Sequence, residues 1–268
     1  MSDDGSGIDF PLAIQEKNWG PIPIQWIQQT ENLGTVKHIN HVARMATGKY
    51  IKFIAAGDAF VDAHALSALV EFAERRQSII ATSNALVSSE DLKRAFYQFP
   101  GERRGSMLNA GPNDLFCTLA VSNIISAAAT LYNRDFFIKF GGIDESYRLL
   151  EDWPTWLRLA RQGVSIDYLN RITVLYGLGG VSSENLNAYL APTLRKDMLQ
   201  CYEKEIIPFM TRIPEAQQRA IRYRYDGLLS QTPLTRVKRF IYYPLRSVRD
   251  VIKSLIKRML IGASKWIR

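Results

Sequence analysis

The stretch that decides the fold is GGIDESYRLLEDWPTWLRL, which spans residues 141–159. A Gly-Gly turn comes first, then two adjacent carboxylates, Glu151 and Asp152, and then a periodic apolar run that carries Arg158. This order predicts a helix that begins at the acidic pair. The positive end of a helix dipole stabilises ionised carboxylates, and an ionised carboxylate can accept a proton from a sugar hydroxyl. In the alternative reading, Asp152 only caps the helix and Glu151 lies in solvent.

Segments with helical and strand patterns alternate upstream of this stretch. Residues 35–47 and 63–75 show helical periodicity, and Gly48 closes the first of these helices. Residues 50–56 and 78–87 are apolar runs of strand length. Alternation of strands with helices of this length predicts an α/β fold with a mostly parallel sheet flanked by helices.

The middle of the chain contains a loop and a long uncharged run. Residues 99–113 are rich in Gly, Pro and Arg, which predicts a long loop of the kind that often serves binding. Residues 115–132 carry no charge and approach the length of a membrane span. Because this run includes Ser, Thr and Asn, we expect a buried helix followed by a buried strand.

The C-terminal part of the chain has a different pattern. After two short predicted strands, residues 165–169 and 172–176, the sequence is helical from residue 185 onward and has no repeats. We therefore place a domain boundary near residue 184. It divides the chain into an α/β domain, residues 1–184, and a helical region, residues 185–268.

Positive charge is concentrated at the C-terminus. The net charge is +8, but residues 236–268, here called the C-terminal arm, hold ten Lys and Arg and one acid. The rest of the chain is therefore nearly neutral, which argues against a nucleic-acid-binding domain with a basic folded face. Apolar residues spaced by three and four along the arm predict a helix on an anionic membrane surface. The alternative is a helix packed on its own domain, with its charges in solvent.

Acidic residues occur at three strand-to-loop transitions in the first 155 residues. They are Asp3 and Asp4, then Asp58, and then Glu151 with Asp152. Ligands of open α/β sheets bind beyond the carboxyl ends of the strands. Carboxylates gathered there suit a divalent metal or ribose hydroxyls, so the residues alone indicate a group-transfer site.

Four motifs in this order resemble the family 2 glycosyltransferases, which have a GT-A fold. The motifs are DDGS at 3–6, ENLGTVKHIN at 31–40, ATGKYIKFI at 46–54, and GIDE at 142–145 with ED at 151–152. Each motif alone is weak, but four in order are specific. The resemblance covers about residues 1–180 and points to the bacterial branch that builds cell-surface polysaccharides.

The resemblance implies a site for the nucleotide-sugar donor. Asp3 and Asp4 match the acidic pair that contacts the nucleoside. Asp58 lies in the segment that normally holds a divalent metal, Mg or Mn, and the diphosphate. In an ungapped match, Gly57 occupies the position of the usual metal-ligating aspartate and Asp58 lies one place on. Two alternatives follow: either Asp58 binds the metal, or this chain has lost the metal site.

The resemblance also implies roles at the acceptor site. Asp152 matches the catalytic base, which deprotonates the acceptor hydroxyl for a single inverting displacement. Glu151 and Arg158 would orient that site and its helix. The acceptor would be a glycan, and the resemblance implies one linked to a lipid.

Two expectations concern the whole chain. Family members begin with a strand upstream of the DDGS motif, and we expect that this chain lacks that strand. A non-catalytic or truncated remnant that serves as a binding or scaffold protein is therefore the alternative to an enzyme. The acidic first residues are not typical of a signal peptide, so we expect a cytoplasmic protein, peripheral at the inner face of the cell membrane.

Overall fold

The structure is a computed structural model, and it describes residues 1–7, 23–179, 192–229 and scattered positions between 237 and 252. The chain divides into two compact units, Met1–Arg212 and Ile213–Arg268. The domain boundary predicted near residue 184 lies outside the described residues, and so does most of the C-terminal arm.

Strands and helices alternate through the first unit, as the sequence pattern predicts. The described strands are β1 (Ser2–Asp3), β2 (Ile27–Gln28), β3 (Tyr50–Ile51), β4 (Ala59–Phe60), β5 (Ile80–Ser88), β6 (Ala95–Phe99), β7 (Thr130–Asn133) and β8 (Ile166–Gly177). The described α-helices are α1 (Thr35–Met45), α2 (Ala65–Arg76), α3 (Glu102–Gly105), α4 (Pro112–Val121), α5 (Asp135–Lys139), α6 (Trp153–Arg161), α7 (Pro192–Cys201) and, in the second unit, α8 (Glu215–Leu229). Residues Tyr202–Ile206 continue α7 as a π-helix, and Ile207–Arg212 follow as a 3₁₀-helix.

The sheet is mixed. Strands β1 and β2 pair in parallel, and the other described strands form a sheet in the order β3-β7-β5-β8-β4, with β6 also paired to β5. Within that larger sheet β5 and β8 run parallel, whereas the other described pairs are antiparallel. The α/β class is confirmed, but "mostly parallel" does not describe this pairing. Buried strands have similar apolar sequences whether they are parallel or antiparallel to their neighbours. The sequence pattern therefore did not show the relative direction of paired strands.

Strand β5 lies at the centre of the larger sheet and contains three polar residues with no exposed surface, Thr82, Ser83 and Asn84. The Ser83 hydroxyl lies 2.6 Å from Thr173 Oγ1, and Asn84 Nδ2 donates to the Tyr168 hydroxyl at 2.7 Å. Both partners lie on β8, so side-chain bonds reinforce the parallel pair. Buried polar groups that are bonded in this way avoid the desolvation cost of an unpaired group.

Two predicted segments differ from the structure. The strand predicted over 50–56 is only two residues long, and the chain turns further on at Gly57, whose φ is 98°, where Asp58 N–H donates to the Ala55 carbonyl at 3.1 Å. The loop predicted over 99–113 contains α3, a 3₁₀-helix at Ser106–Asn109 and the start of α4. Its glycines and prolines do not mark an open loop, since several stand at helix starts.

The uncharged run at 115–132 forms most of helix α4 and the start of strand β7, as predicted. Leu115, Phe116 and Leu119 of α4 have no exposed surface, which explains why the run lacks charges. A search of the described helices finds none that is both long and apolar enough to span a membrane.

The helical segment after residue 192 belongs in part to the first unit. Arg161 of α6 forms an ion pair with the buried Glu205, and it also donates to the Glu205 carbonyl at 2.8 Å. A buried ion pair that is also hydrogen-bonded to the backbone fixes the position of one element against another. Helix α6 is therefore fixed against the π-helical segment.

Candidate active site

The acidic pair lies at the start of α6, as predicted. Asp152 is the N-cap, and its Oδ1 accepts the Trp153 N–H at 2.5 Å. Its Oδ2 accepts a hydrogen bond from Asn123 Nδ2 at 2.6 Å, and Asn123 Oδ1 in turn accepts the Ile125 N–H at 3.0 Å. The second contact fixes which end of the Asn123 amide faces the carboxylate. Both oxygens of Asp152 are thus held in one orientation.

The two carboxyl groups of the pair titrate together. Burial, with a smaller contribution from the charge of Asp152, raises the pKa of Glu151 from an ordinary 4.5 to about 8. Burial also raises the pKa of Asp152, but the bonds from Trp153 N–H and Asn123 favour its ionised form. The raised pKa of Glu151 favours its protonated form at neutral pH, whereas the two hydrogen bonds to Asp152 favour the ionised form of that carboxylate. A partly buried carboxylate that two donors hold in one orientation suits the role of a general base.

The loop that leads into the pair is held from the C-terminal side. Asp197 of α7 is 3% exposed, and its Oδ2 accepts the backbone N–H groups of Arg148, Leu149 and Leu150 at 2.9, 2.6 and 3.1 Å. Three N–H groups converge on one carboxylate oxygen immediately before Glu151. Asp197 therefore fixes the backbone that carries the acidic pair.

Arg158 ties α6 to the Gly-Gly turn. Its Nη1 donates to the Phe140 carbonyl at 2.6 Å, and its Nη2 donates to the Gly142 carbonyl. Burial lowers the pKa of this guanidinium from its ordinary value. Arg158 thus positions the turn and the helix relative to each other, and the orienting role at the acceptor site stays a prediction.

The structure places Asp3 and Asp4 in short local networks. Asp4 accepts the Leu33 and Gly34 N–H groups at 2.8 and 2.9 Å. Asp3 accepts the Ser6 hydroxyl at 2.7 Å and the Ser6 N–H at 3.1 Å, and the hydroxyl bond is the main reason why its pKa is lowered. Asp4 therefore shapes the turn before α1. The nucleoside contact predicted for the pair stays a prediction.

The turn shaped by Asp4 contacts the loop before the acidic pair. Val36 N–H donates to the Arg148 carbonyl at 3.2 Å, and Arg148 Nη2 donates to Asn32 Oδ1 at 3.1 Å. Gly34 has a φ of 82°, and a Cβ there would lie 2.8 Å from Arg148 Cγ. Only glycine suits this conformation and this close approach. The structure thus brings the Asp4 turn and the Glu151–Asp152 loop together.

Asp58 lies apart from the acidic pair in the hydrogen-bond network. Its Oδ1 accepts the Gly177 N–H at 3.0 Å, so it joins the turn after β3 to the end of β8. Burial raises the pKa of Asp58, while the Gly177 bond and the positive charge of Lys52 oppose that rise.

The predicted metal site at Asp58 depends on the ligands that surround this residue. In the part of the chain that the structure describes, no group of three or more His, Cys, Asp or Glu side chains could hold a metal ion. A divalent cation can be held by one or two carboxylates together with substrate phosphates, and the charge acting on Asp58 is that of an ammonium group, which repels a second cation. Around Asp58 the described residues therefore do not form a metal site of protein ligands alone.

Sequence reasoning missed Asn123, Asp197 and Lys52. Asn123 contacts a residue 29 positions away and Asp197 contacts residues 47 to 49 positions away. Nothing local marks either one. Lys52 is the exception, since a lone lysine inside an apolar strand is a visible signal of a buried charge with a partner.

A mixed sheet flanked by helices, with a carboxylate held at a helix start, is the arrangement expected of the GT-A class of sugar-transferring enzymes. The chain belongs to glycosyl transferase family 2, whose sequence model matches residues 1–141. A search of curated proteins finds no significant match.

Solved structures support the fold. The chain is similar to S. aureus TarS 1-349 in complex with UDP-GlcNAc, with a TM-score of 0.50, 16% identity, and coverage of 85% of this chain and 73% of TarS 1-349. It is also similar to the mannosyltransferase PcManGT from Pyrobaculum calidifontis in complex with GDP-Man and Mn²⁺, with a TM-score of 0.52, 14% identity, and coverage of 96% and 75%. At these identities the similarity establishes the GT-A fold.

Proposed function

We propose that the protein transfers a sugar from a nucleotide-sugar donor to a hydroxyl group of a glycan acceptor, with inversion at the anomeric carbon. The observation that supports this most strongly is the Asp152 carboxylate, which lies at the start of α6 and is held in one orientation by two hydrogen bonds. Family membership and the donors named with TarS and PcManGT support the nucleotide-sugar class.

The chemistry is a single displacement. Asp152 accepts the proton of the acceptor hydroxyl as its oxygen forms a bond to the anomeric carbon. The bond from that carbon to the donor phosphate breaks, and the nucleoside diphosphate leaves with the electron pair. Attack opposite the leaving group inverts the configuration. The raised pKa of Glu151 favours its protonated form at neutral pH. The two adjacent carboxyl groups therefore do not both have to be negatively charged before Asp152 takes the proton of the acceptor hydroxyl.

The acceptor and the location are the further parts of the proposal. A lipid-linked glycan at the cytoplasmic face of the membrane suits the basic C-terminal arm, which carries a net charge of +9. Where the arm is described, its apolar residues Ile241, Leu245 and Ile252 are exposed. We therefore assign the protein to cell-surface polysaccharide synthesis.

Replacement of the base tests the proposal. Asp152→Asn should lower transfer by about 10²–10⁴-fold, since that is the usual contribution of a general base. The measurement is release of nucleoside diphosphate from UDP-GlcNAc and from GDP-mannose in the presence of a bacterial lipid extract. Asp135→Asn is the matched control, because Asp135 lies in the first turn of α5 and pairs with Lys139 on the surface. Near-normal turnover by Asp152→Asn would remove Asp152 from the mechanism.

A further inference from the structure

The turn after β3 has only small residues before Asp58. Its residues are Ala55, Ala56, Gly57 and Asp58, and the first three are exposed. A Cβ placed on Gly57 would meet no atom of the described residues within 4 Å, so this part of the chain leaves the side of the turn open. Gly177 closes the other side, since a Cβ there would lie 2.5 Å from the Gly57 carbonyl oxygen. The turn is thus fixed against β8 on one side and open on the other.

Lys52, shortly before this turn in the sequence, carries a positive charge. Lys52 is partly buried, and its Nζ donates to the Phe53 carbonyl at 2.7 Å and to the Ala128 carbonyl. The same Nζ lies 6.0 Å from the centre of the Phe60 ring, and its charge interacts with Asp58. An ammonium group has three N–H donors, and the two carbonyls account for two of them.

Lysine is a costly choice for the fold at this position. Removing an ammonium group from water is unfavourable, and the two carbonyls and the charge of Asp58 offset that cost while one N–H donor has no partner among the described residues. A charge kept at the ligand-binding edge of an α/β sheet therefore points to a ligand of opposite charge. The donor of the proposed reaction carries such a group in its diphosphate.

We propose that Lys52 supplies the positive charge that the donor diphosphate meets, so that donor binding does not require a divalent metal. This rests on the proposed function. Lysine binds phosphate as a point charge, and it does so in other nucleotide sites. In this arrangement Asp58 is not a metal ligand: it fixes the turn to Gly177, and its negative charge acts on the ammonium group of Lys52.

Calorimetric titration of the full chain tests the proposal, with UDP and GDP as the probes. Each titration is made once in EDTA and once with Mn²⁺. Lys52→Gln removes the charge but retains donors for the two carbonyls, and Lys52→Met removes both. Lys49→Met is the matched control, since Lys49 is an exposed neighbour whose Nζ lies 2.6 Å from Glu74. Melting curves show which variants are folded.

We expect the wild-type chain to bind UDP or GDP in EDTA, with Mn²⁺ changing the affinity by less than about tenfold, or 1.4 kcal/mol. Lys52→Gln should weaken binding in EDTA by about tenfold or more, whereas Lys49→Met should not. Wild-type binding that requires Mn²⁺ would overturn this inference and leave the proposed function standing. Equal binding by wild type and a folded Lys52→Gln would also overturn it. Binding of neither nucleotide under either condition would overturn the proposed function as well.

Discussion

At the scale of single residues, the acidic pair shows how neighbouring groups divide one proton. Asp152 accepts two hydrogen bonds through its carboxylate, while Glu151 is raised to a pKa of about 8 by burial and by the charge of Asp152. Donors that face a carboxylate favour its ionised form, and burial without donors disfavours it. Two adjacent acids in the sequence therefore have different surroundings, which favour the ionised form of Asp152 and the protonated form of Glu151.

Asn123 should act as a positioning residue for Asp152. Asn123→Ala removes a hydrogen bond to the ionised carboxylate, so the pKa of Asp152 should rise and kcat at neutral pH should fall. A bond to a charged group contributes about 1.5–3 kcal/mol, which corresponds to a shift of at least about one pH unit in the acid limb of kcat/KM. The profile of kcat/KM against pH measures this. Asn113→Ala, which lacks only a surface contact to Arg212, is the control. An unchanged acid limb would show that Asn123 has no part in the pair's titration.

Glu151 should make folding stability depend on pH. Its pKa is higher in the folded protein, about 8, than its ordinary value of 4.5, so the folded state binds more protons between these values. Unfolding free energy should therefore fall as pH rises from 4.5 to 8, by up to about 1.4 kcal/mol per pH unit. Denaturant titrations at pH 5, 6, 7 and 8 measure the slope. Glu151→Gln should flatten it, and a variant with the wild-type slope would refute the assignment.

At the scale of elements, prediction succeeded where the signals are local. Helices α1 and α6 follow from periodicity and from the residues at their ends, all within one segment. The segment 102–113 was predicted less well, because Gly101 and Pro112 suggested a loop although they stand at helix starts. Proline has no N–H to lose in the first turn of a helix, so it favours that position.

Strand β8 shows why long-range pairing escapes the sequence. Asn170 and Arg171 interrupt the apolar pattern, and the sequence predicts two strands there. The structure has one strand, Ile166–Gly177, with shifts of register against β5 between Thr82 and Ala85. Such irregularities accommodate extra residues without ending the ladder. The partner strand that permits this is 86 residues away, at Ile80↔Ile166 for example.

Helix α7 should be needed for the acidic pair to keep its place. Asp197→Ala would leave three N–H groups of residues 148–150 without their acceptor, and a buried donor that loses its partner costs about 1–3 kcal/mol. We expect an unfolding free energy lower by about 3 kcal/mol and a lower kcat. Denaturant titration and turnover measure the two effects. Asp114→Ala, at an exposed position in the first turn of α4, is the control. Wild-type stability and kcat together would show that the loop does not depend on Asp197.

At the scale of the whole molecule, the candidate site and the excess positive charge belong to different parts of the chain. The carboxylates and Lys52 of the candidate site belong to the first unit, Met1–Arg212, whereas the excess positive charge is in the C-terminal arm. The arm holds ten Lys and Arg and one acid, and the remainder of the chain is nearly neutral. A separate basic segment adds little to the chemistry of a sugar transfer. It can determine where that transfer takes place, because each basic residue near an anionic membrane contributes about 1 kcal/mol.

Removal of residues 236–268 should therefore release the protein from membranes without unfolding the first unit. We expect the full chain to sediment with vesicles that contain anionic phosphatidylglycerol at low salt, and to bind more weakly at high salt, because salt screens surface charges. It should bind neutral phosphatidylcholine vesicles weakly. A second variant, Ile241→Ser with Leu245→Ser, keeps every charge and removes two exposed apolar side chains, so a partial loss would show that the arm also inserts apolar groups. If the full chain stays in the supernatant with anionic vesicles at low salt, the arm does not bind the membrane.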